Sequence, residues 1–253
     1  MSVSGTQDVC IRIAGDCAVS VELGNEISLS VNARVRALQN TLEQQPIPGV
    51  IETVPTYASL MIHYQPDMLS YKELTECLTE MAKTLSEVSL PKARIIEIPI
   101  LYGRELGPDL EECAAMEGIT TEELMRIHSG HLYYTYMLGF APGHAYMARF
   151  ERPFSFQRRE FPRVRIPGGS IVAAQNLSNL IPFDQPCGWN IIAHTPVVLC
   201  DYGKEPPCLV NAGDWVKFVP VNEKEYNQIN QQVQAGAYQC RIYWKEDSHE
   251  PVF

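Results

Sequence analysis

The sequence predicts two domains: a small α+β sandwich over residues 1–90, ferredoxin-like or related, then a mainly-β barrel or sandwich domain over 91–253 that opens with two short helices. Three observations carry this. Two segments of the first 90 residues repeat apolar side chains at helical spacing between runs that alternate as strands do. From Met137 to Pro196 the chain is written as short β-branched runs punctuated by Pro and Gly. Between the two patterns, Ser86 to Lys92 carries Pro91 and reads as a linker.

In chain order, residues 9 to 14 read as a strand and Gly15-Asp16 as a turn. Ala18 to Leu23 then alternates, with Val19, Val21 and Leu23 on one face. Val31, Val35, Leu38 and Leu42 predict a helix capped by Ser28 or Ser30 and stopped at Pro46-Ile-Pro-Gly49. Val50 to Val54 and Ser59 to Tyr64 are the next strands. A second helix starts near Ser70, with Leu74, Leu78, Met81 and Leu85 on its apolar face. The order ββαββα places two amphipathic helices on one antiparallel sheet.

Arg94 to Ile100 offers a further strand. Gly107-Pro-Asp-Leu110 opens a short helix with Pro near its first turn, and Thr120-Thr-Glu-Glu123 has the spacing of a capping box for another that runs to about His128. Short strands and turns follow from His131 to about Pro220, among them Arg163 to Ile166, Ile171 to Ala174 and Trp189 to Ala193. A last helix, with Tyr226, Ile229 and Val233 on one face, precedes a strand near Tyr238 to Trp244.

Twenty basic against thirty acidic residues give a net charge of −10, which argues against nucleic acid or an anionic membrane surface as the main partner. Arg158, Arg159, Arg163 and Arg165 are the local exception, readable as a solvated basic loop or as an anion-facing patch. Residues 1–8 are polar without an apolar core, so no secretory signal is visible, and no apolar run has the length of a membrane span. Eight cysteines without a Cys-x-x-Cys pair fit reduced, buried thiols in the cytoplasm.

The sequence contains neither a P-loop nor a Gly-x-Gly-x-x-Gly fingerprint. Gly168-Gly169-Ser170 is readable as an anion-binding run of N–H groups or as a tight turn. His128 and His131 lack the further ligands of a zinc set, so no metal site is expected. His144, after Pro142-Gly143 in an expected exposed turn, is a candidate for a polar ligand contact. Cys187 reads as a buried thiol, and no Gly-x-Ser-x-Gly elbow marks a serine nucleophile.

At these residues the chain resembles the allophanate hydrolase subunit 1 family, which includes the B-type component of bacterial 5-oxoprolinase and the kinase inhibitor KipI. The resemblance runs through Gly15-Asp16, Val54-Pro55-Thr56-Tyr57, Gly107-Pro-Asp-Leu110, Tyr136-Met-Leu-Gly-Phe140, Pro142-Gly143 and Tyr146. It continues through Pro162-Arg163, Ile166-Pro167, Gly169-Ser170, Gly188-Trp189, Thr195-Pro196 and Ala212-Gly213-Asp214. It implies an N-terminal α+β domain, a cyclophilin-like β-barrel and a sister subunit. The implied activity is ATP-dependent opening of 5-oxoproline to glutamate, or hydrolysis of a related cyclic amide, with ATP shared with the partner subunits. Other members imply two alternatives: a non-catalytic inhibitor of a sensor histidine kinase, and the carboxyltransferase component of a biotin-dependent urea-degrading enzyme.

The expected site takes His144, His194 and Ser170 as catalytic residues, with Phe140, Pro142, Gly143, Gly169, Gln175, Trp189 and Thr195 binding the substrate. Four departures from the family pattern cluster there. Pro186-Cys187-Gly188-Trp189 replaces Pro-Gly-Gly-Trp, and Ala193-His194-Thr195-Pro196 replaces Gly-Arg-Thr-Pro. Leu177 to Pro182 replaces Thr-Gly-Ile-Tyr-Pro, and His144 stands where an aromatic is commoner.

Overall fold

The computed structural model describes residues 9–85, 90, 92–148, 154–175 and 177–245. The polar residues 1–8 and most of the expected linker lie outside that set. The chain divides into two compact units, residues 1–91 and 92–253.

In the first unit β1 (Cys10–Ile13), β2 (Ala18–Glu22), β3 (Val50–Pro55) and β4 (Ser59–Tyr64) form an antiparallel sheet in the order β1-β2-β4-β3. Helices α1 (Leu29–Gln44) and α2 (Tyr71–Lys83) complete it. The alternating residues Val19, Val21 and Leu23 are buried with Leu60, Ile62, Leu38 and Leu74. Ser28, not Ser30, caps α1 by accepting from the Val31 N–H at 3.2 Å, and Ser70 and Glu73 cap α2 reciprocally. The chain order ββαββα departs from the βαββαβ of a ferredoxin-like domain, although α1 does cross over from β2 to β3 with β4 paired between them.

The second unit contains β5 (Arg94–Tyr102), a single 3-10 turn at Arg104–Leu106, α3 (Leu110–Glu117), α4 (Thr121–Ser129), β6 (Leu132–Leu138) and β7 (Ala145–Ala148). Then come β8 (Arg163–Ile166), β9 (Ser170–Ala174), β10 (Leu177–Leu180), β11 (Gln185–Cys187), β12 (Asn190–His194), β13 (Trp215–Pro220), α5 (Glu223–Gln234) and β14 (Ile242–Trp244). Seven strands close a barrel in the order β12-β9-β10-β7-β6-β13-β5, and β5 returns to β12 through Ala193↔Tyr102 and His194↔Leu101. The length of β5 makes this possible: Ile95 to Ile100 pair parallel with β13, which leaves its last two residues for β12. Closure pairs backbone groups that an open sheet would leave at its edges.

Alternation along the strands sorts two faces. Ala145, Met147, Ile171, Ala173, Leu180 and Ile192 join the main core with Ile98, Tyr133 and Phe218. The intervening Tyr146, Val172, Asn179 and Ile191 therefore face outward. There a small separate sheet, β8 with β11, lies over the barrel, and Ile166, Val172, Ile181 and Ile191 form a second apolar cluster with Cys187 and Trp189. Of the residues expected at a site, Trp189 belongs to this cluster and His144 contacts the ribbon through Gln185.

Candidate functional site

The loop from β6 to β7 delivers His144. Gly143 takes φ +78° and packs against Cys200, whose Cβ a side chain at position 143 would approach to 2.7 Å. The turn buries His144, contrary to the exposed position expected from its Pro-Gly context. The ring stacks on Tyr146 at 4.7 Å between centroids and 7° between planes, and Phe140 meets it edge-on at 5.8 Å. Its Nδ1 lies 3.0 Å from Gln185 Nε2 and its Nε2 lies 3.2 Å from Asn179 Nδ2. Burial holds the imidazole neutral and lowers its pKa to about 4. Phe140 itself is 69% exposed at φ +67°, an uncommon backbone state for an aromatic residue. Pro142 lies exposed beside it.

The other two expected catalytic residues form a separate group. His194 Nε2 is 2.9 Å from the Gly168 carbonyl, and its Nδ1 is 2.8 Å from the Tyr226 hydroxyl of α5. Burial lowers its pKa as well, against the opposing effect of the Gly168 contact. Ser170 is fully buried and donates its hydroxyl to the Pro167 carbonyl at 2.8 Å. Thr195 is buried, donates its N–H to Gly169 and accepts from the Val197 N–H. Among the described residues no hydrogen bond or ring contact joins His144 to His194 or Ser170, so the expected catalytic trio is not assembled. His194 stands opposite Ser170 in the β12–β9 register, but its ring nitrogens go to Gly168 and Tyr226 and the Ser170 hydroxyl goes to Pro167.

The anion-binding reading of Gly168-Gly169-Ser170 fails on hydrogen-bond accounting. The Gly168 N–H goes to Asp184 Oδ1 at 2.8 Å, the Gly169 N–H to the Ile181 carbonyl at 2.7 Å, and the Ser170 N–H to Pro167 at 3.3 Å. The tight turn is the correct reading. Gln175 lies exposed at φ +53° in the connection after β9, its backbone paired with Phe154 and Phe156, away from both histidines' contacts. Trp189 is half-buried in the cluster beneath β8 and β11. Cys187 accepts from the Trp189 N–H at 3.4 Å, and burial raises its pKa, which keeps it a thiol. Three other cysteines, Cys10, Cys17 and Cys77, are exposed rather than buried.

The basic segment is neither a free loop nor a uniform patch. Asp109, buried at the start of α3, accepts from both terminal nitrogens of Arg163 at 2.8 and 2.7 Å, from Arg159 at 3.0 Å and from the Ile191 N–H at 2.7 Å. Arg165 pairs with Asp184. Arg158 is exposed and has no carboxylate partner among the described residues. Composition marked the arginines, but their acidic partner lies some fifty positions away. Asn179, Gln185 and Tyr226 were likewise missed. The replaced stretch Leu177 to Pro182 was the only sequence signal for Asn179.

A 610 Å³ cleft is lined by Met116, Phe156, Arg158, Arg159, Phe161 and Asn190 among others, and a 290 Å³ one by Val197, Leu209, Val233 and Tyr238. Neither is lined by an expected site residue. His128 of the His-x-x-His is buried, with Tyr102 at 2.6 Å and Ser178 at 3.0 Å.

The described helix starts offer no open N–H cradle to the phosphates of a nucleoside triphosphate. Ser28, Ser70, Thr120 and Asn222 each cap the N–H groups at the starts of α1, α2, α4 and α5. The start of α3 carries the carboxylates of Asp109, Glu111 and Glu112.

The family model for the carboxyltransferase domain, subdomains C and D, matches residues 9–210. The chain is 37% identical over 234 residues to the B-type component of 5-oxoprolinase from Bacillus subtilis (strain 168), covering 88% of this chain and 97% of that protein. The crystal structure of TTHA0988 matches with a TM-score of 0.70 at 30% identity over 84% of this chain, which spans only 40% of that longer protein. The K. lactis urea amidolyase matches at a TM-score of 0.78 over 94% of this chain and 16% of its own, a likeness of fold alone at 18% identity. The closed barrel fits the cyclophilin-like fold. A match that runs through both compact units makes this chain a member of the family of carboxyltransferase subdomains C and D that includes the B-type component of 5-oxoprolinase.

Proposed function

We propose that this chain is the B-type component of a cytoplasmic, ATP-dependent 5-oxoprolinase and acts with a sister subunit. The near full-length likeness to the Bacillus subtilis protein, 37% identical over 97% of its length, carries the reading. In the reaction, water adds to the lactam carbonyl of 5-oxoproline, the ring C–N bond breaks, and the freed nitrogen takes a proton to give glutamate. The capped helix starts and the closed Gly168–Ser170 turn support ATP binding on the partner rather than here. On this chain the buried, polar-walled group around His144 is the better candidate for the substrate than the group around His194, whose polar atoms already serve one another.

The test is glutamate release from 5-oxoproline with ATP, using the chain purified with its co-purifying subunits and omitting each component in turn. The expected result is turnover that requires this chain. Full turnover without it would overturn the reading.

A further inference from the structure

The His144 group holds a hydrogen-bonding imbalance that the described residues do not resolve. A neutral imidazole offers one donor and one acceptor, yet both of its nitrogens face carboxamides, Gln185 at 3.0 Å and Asn179 at 3.2 Å. One carboxamide must therefore present its oxygen to the ring and the other its N–H. Asn179 Oδ1 and Gln185 Oε1 have no donor among the described residues, and the side chains are only 1% and 7% exposed. Turning one amide satisfies one oxygen; in either arrangement the other remains a buried acceptor without a donor. Such an atom is costly unless something else supplies an N–H.

A second imbalance lies at the rim of the same group. Arg159, Arg163 and Arg165 each have a carboxylate partner, while Arg158 has none among the described residues. Its guanidinium lies beside Gly188, 3.4 Å from where a Cβ would stand. Gly188 directly follows β11, which carries Gln185 and Cys187, and the Arg159 N–H donates to the Gly188 carbonyl at 2.7 Å, fixing the segment that bears Arg158 against the end of that strand. Tyr146 stacks on His144, and Cys187 follows Gln185 on β11. The unmatched cation and the buried carboxamide of Gln185 thus stand at the two ends of the same short strand.

We propose that Arg158 and the buried carboxamides of Asn179 and Gln185 form a binding site for a small carboxylate that also carries an amide N–H, with Tyr146 and His144 as its stacked wall. Arg158 takes the carboxylate, for which its planar fork is suited, and the unpartnered carboxamide oxygen accepts from the amide N–H. The assignment to a lactam acid rests on the function proposed above; the pairing of cation and buried acceptor does not.

The experiment measures binding of 5-oxoproline and of 2-pyrrolidinone, the same lactam without its carboxylate, by calorimetry on the chain purified with its partner subunits. Arg158→Gln, at an exposed position, is expected to weaken 5-oxoproline by about tenfold or more and to leave 2-pyrrolidinone unchanged. Asn179→Leu with Gln185→Leu is expected to weaken both ligands, with retained far-ultraviolet dichroism as the control for folding. Unchanged 5-oxoproline binding and KM in Arg158→Gln, with glutamate still released, would overturn the site and leave the function standing. Arg158-dependent binding without turnover would keep the site and remove the function. No binding of 5-oxoproline by the unaltered protein would overturn the proposal outright.

Discussion

Tyr226 on α5 donates its hydroxyl to His194 Nδ1 at 2.8 Å, and the same ring donates from Nε2 to the Gly168 carbonyl at 2.9 Å. A carbonyl can only accept, so the proton sits on Nε2 and Nδ1 is left as the acceptor for Tyr226. One ring thereby ties α5, β12 and the turn before β9 together. A double-mutant cycle of His194→Ala and Tyr226→Phe, followed by urea unfolding, should return a coupling of about 1 kcal/mol. Strict additivity would mean the contact does not hold the helix.

Gly169 lies under that ring at φ +88°, and an added Cβ would come within 2.5 Å of both His194 Cε1 and the Thr195 carbonyl oxygen. Gly118 offers a control, since at φ +68° nothing lies within 4 Å of its added Cβ. Gly118→Ala should cost about 1 kcal/mol, for the left-handed backbone alone. Gly169→Ala should exceed it by a further ~2 kcal/mol, because the imidazole and a strand must both move. Equal losses in denaturant midpoint would refute the close packing.

His144 makes stability depend on pH. Its folded pKa, about 4, lies below the ordinary histidine value of 6.5 because burial disfavours the cation. Between those values the unfolded chain binds more protons, so this contribution is complete above pH 6.5 and is lost as pH falls toward 4. His194, also lowered, acts in the same direction. Unfolding free energy should fall by about 2 kcal/mol from His144 between pH 7 and pH 5. His144→Gln should remove that part of the slope; an unaltered pH profile in the variant would show that the ring is not buried neutral.

Asp109 collects four donors at the start of α3, and its removal takes the carboxylate from Arg163 while leaving Arg159 only Glu112 at 3.3 Å. Asp109→Ala should cost about 3 kcal/mol in urea unfolding. Arg159→Ala should cost less, since Arg163 keeps both of its bonds to the carboxylate. A larger loss for Arg159→Ala than for Asp109→Ala would contradict this assignment of the hub.

Much of the first unit was legible because its signals are local. Val19, Val21 and Leu23 alternate and are buried, and Leu74 and Leu78 recur at helical spacing and are buried. The Ser70–Glu73 cap forms between residues three apart. The run Arg94 to Ile100 was legible as a strand, but its service as the seam of a closed barrel depends on its extension to Tyr102 and on partners at 193 to 194 and 215 to 220. The site was legible only as a region. Phe140 does meet His144 edge-on beside Gly143, whereas Ser170 and the Gly168–Ser170 amides turned out to be consumed internally.

The sequence by itself determined the element types, the change from helical to strand periodicity between the two units and the family, because these depend on side-chain order along a continuous chain. The tertiary structure alone decided which polar groups are already satisfied. Hydrogen-bond and charge balance are sums over neighbours in space: His144 meets carboxamides 35 and 41 positions away, and Arg163 meets Asp109 across 54. The same accounting closed the glycine turn to anions and left Arg158 and one buried carboxamide oxygen open.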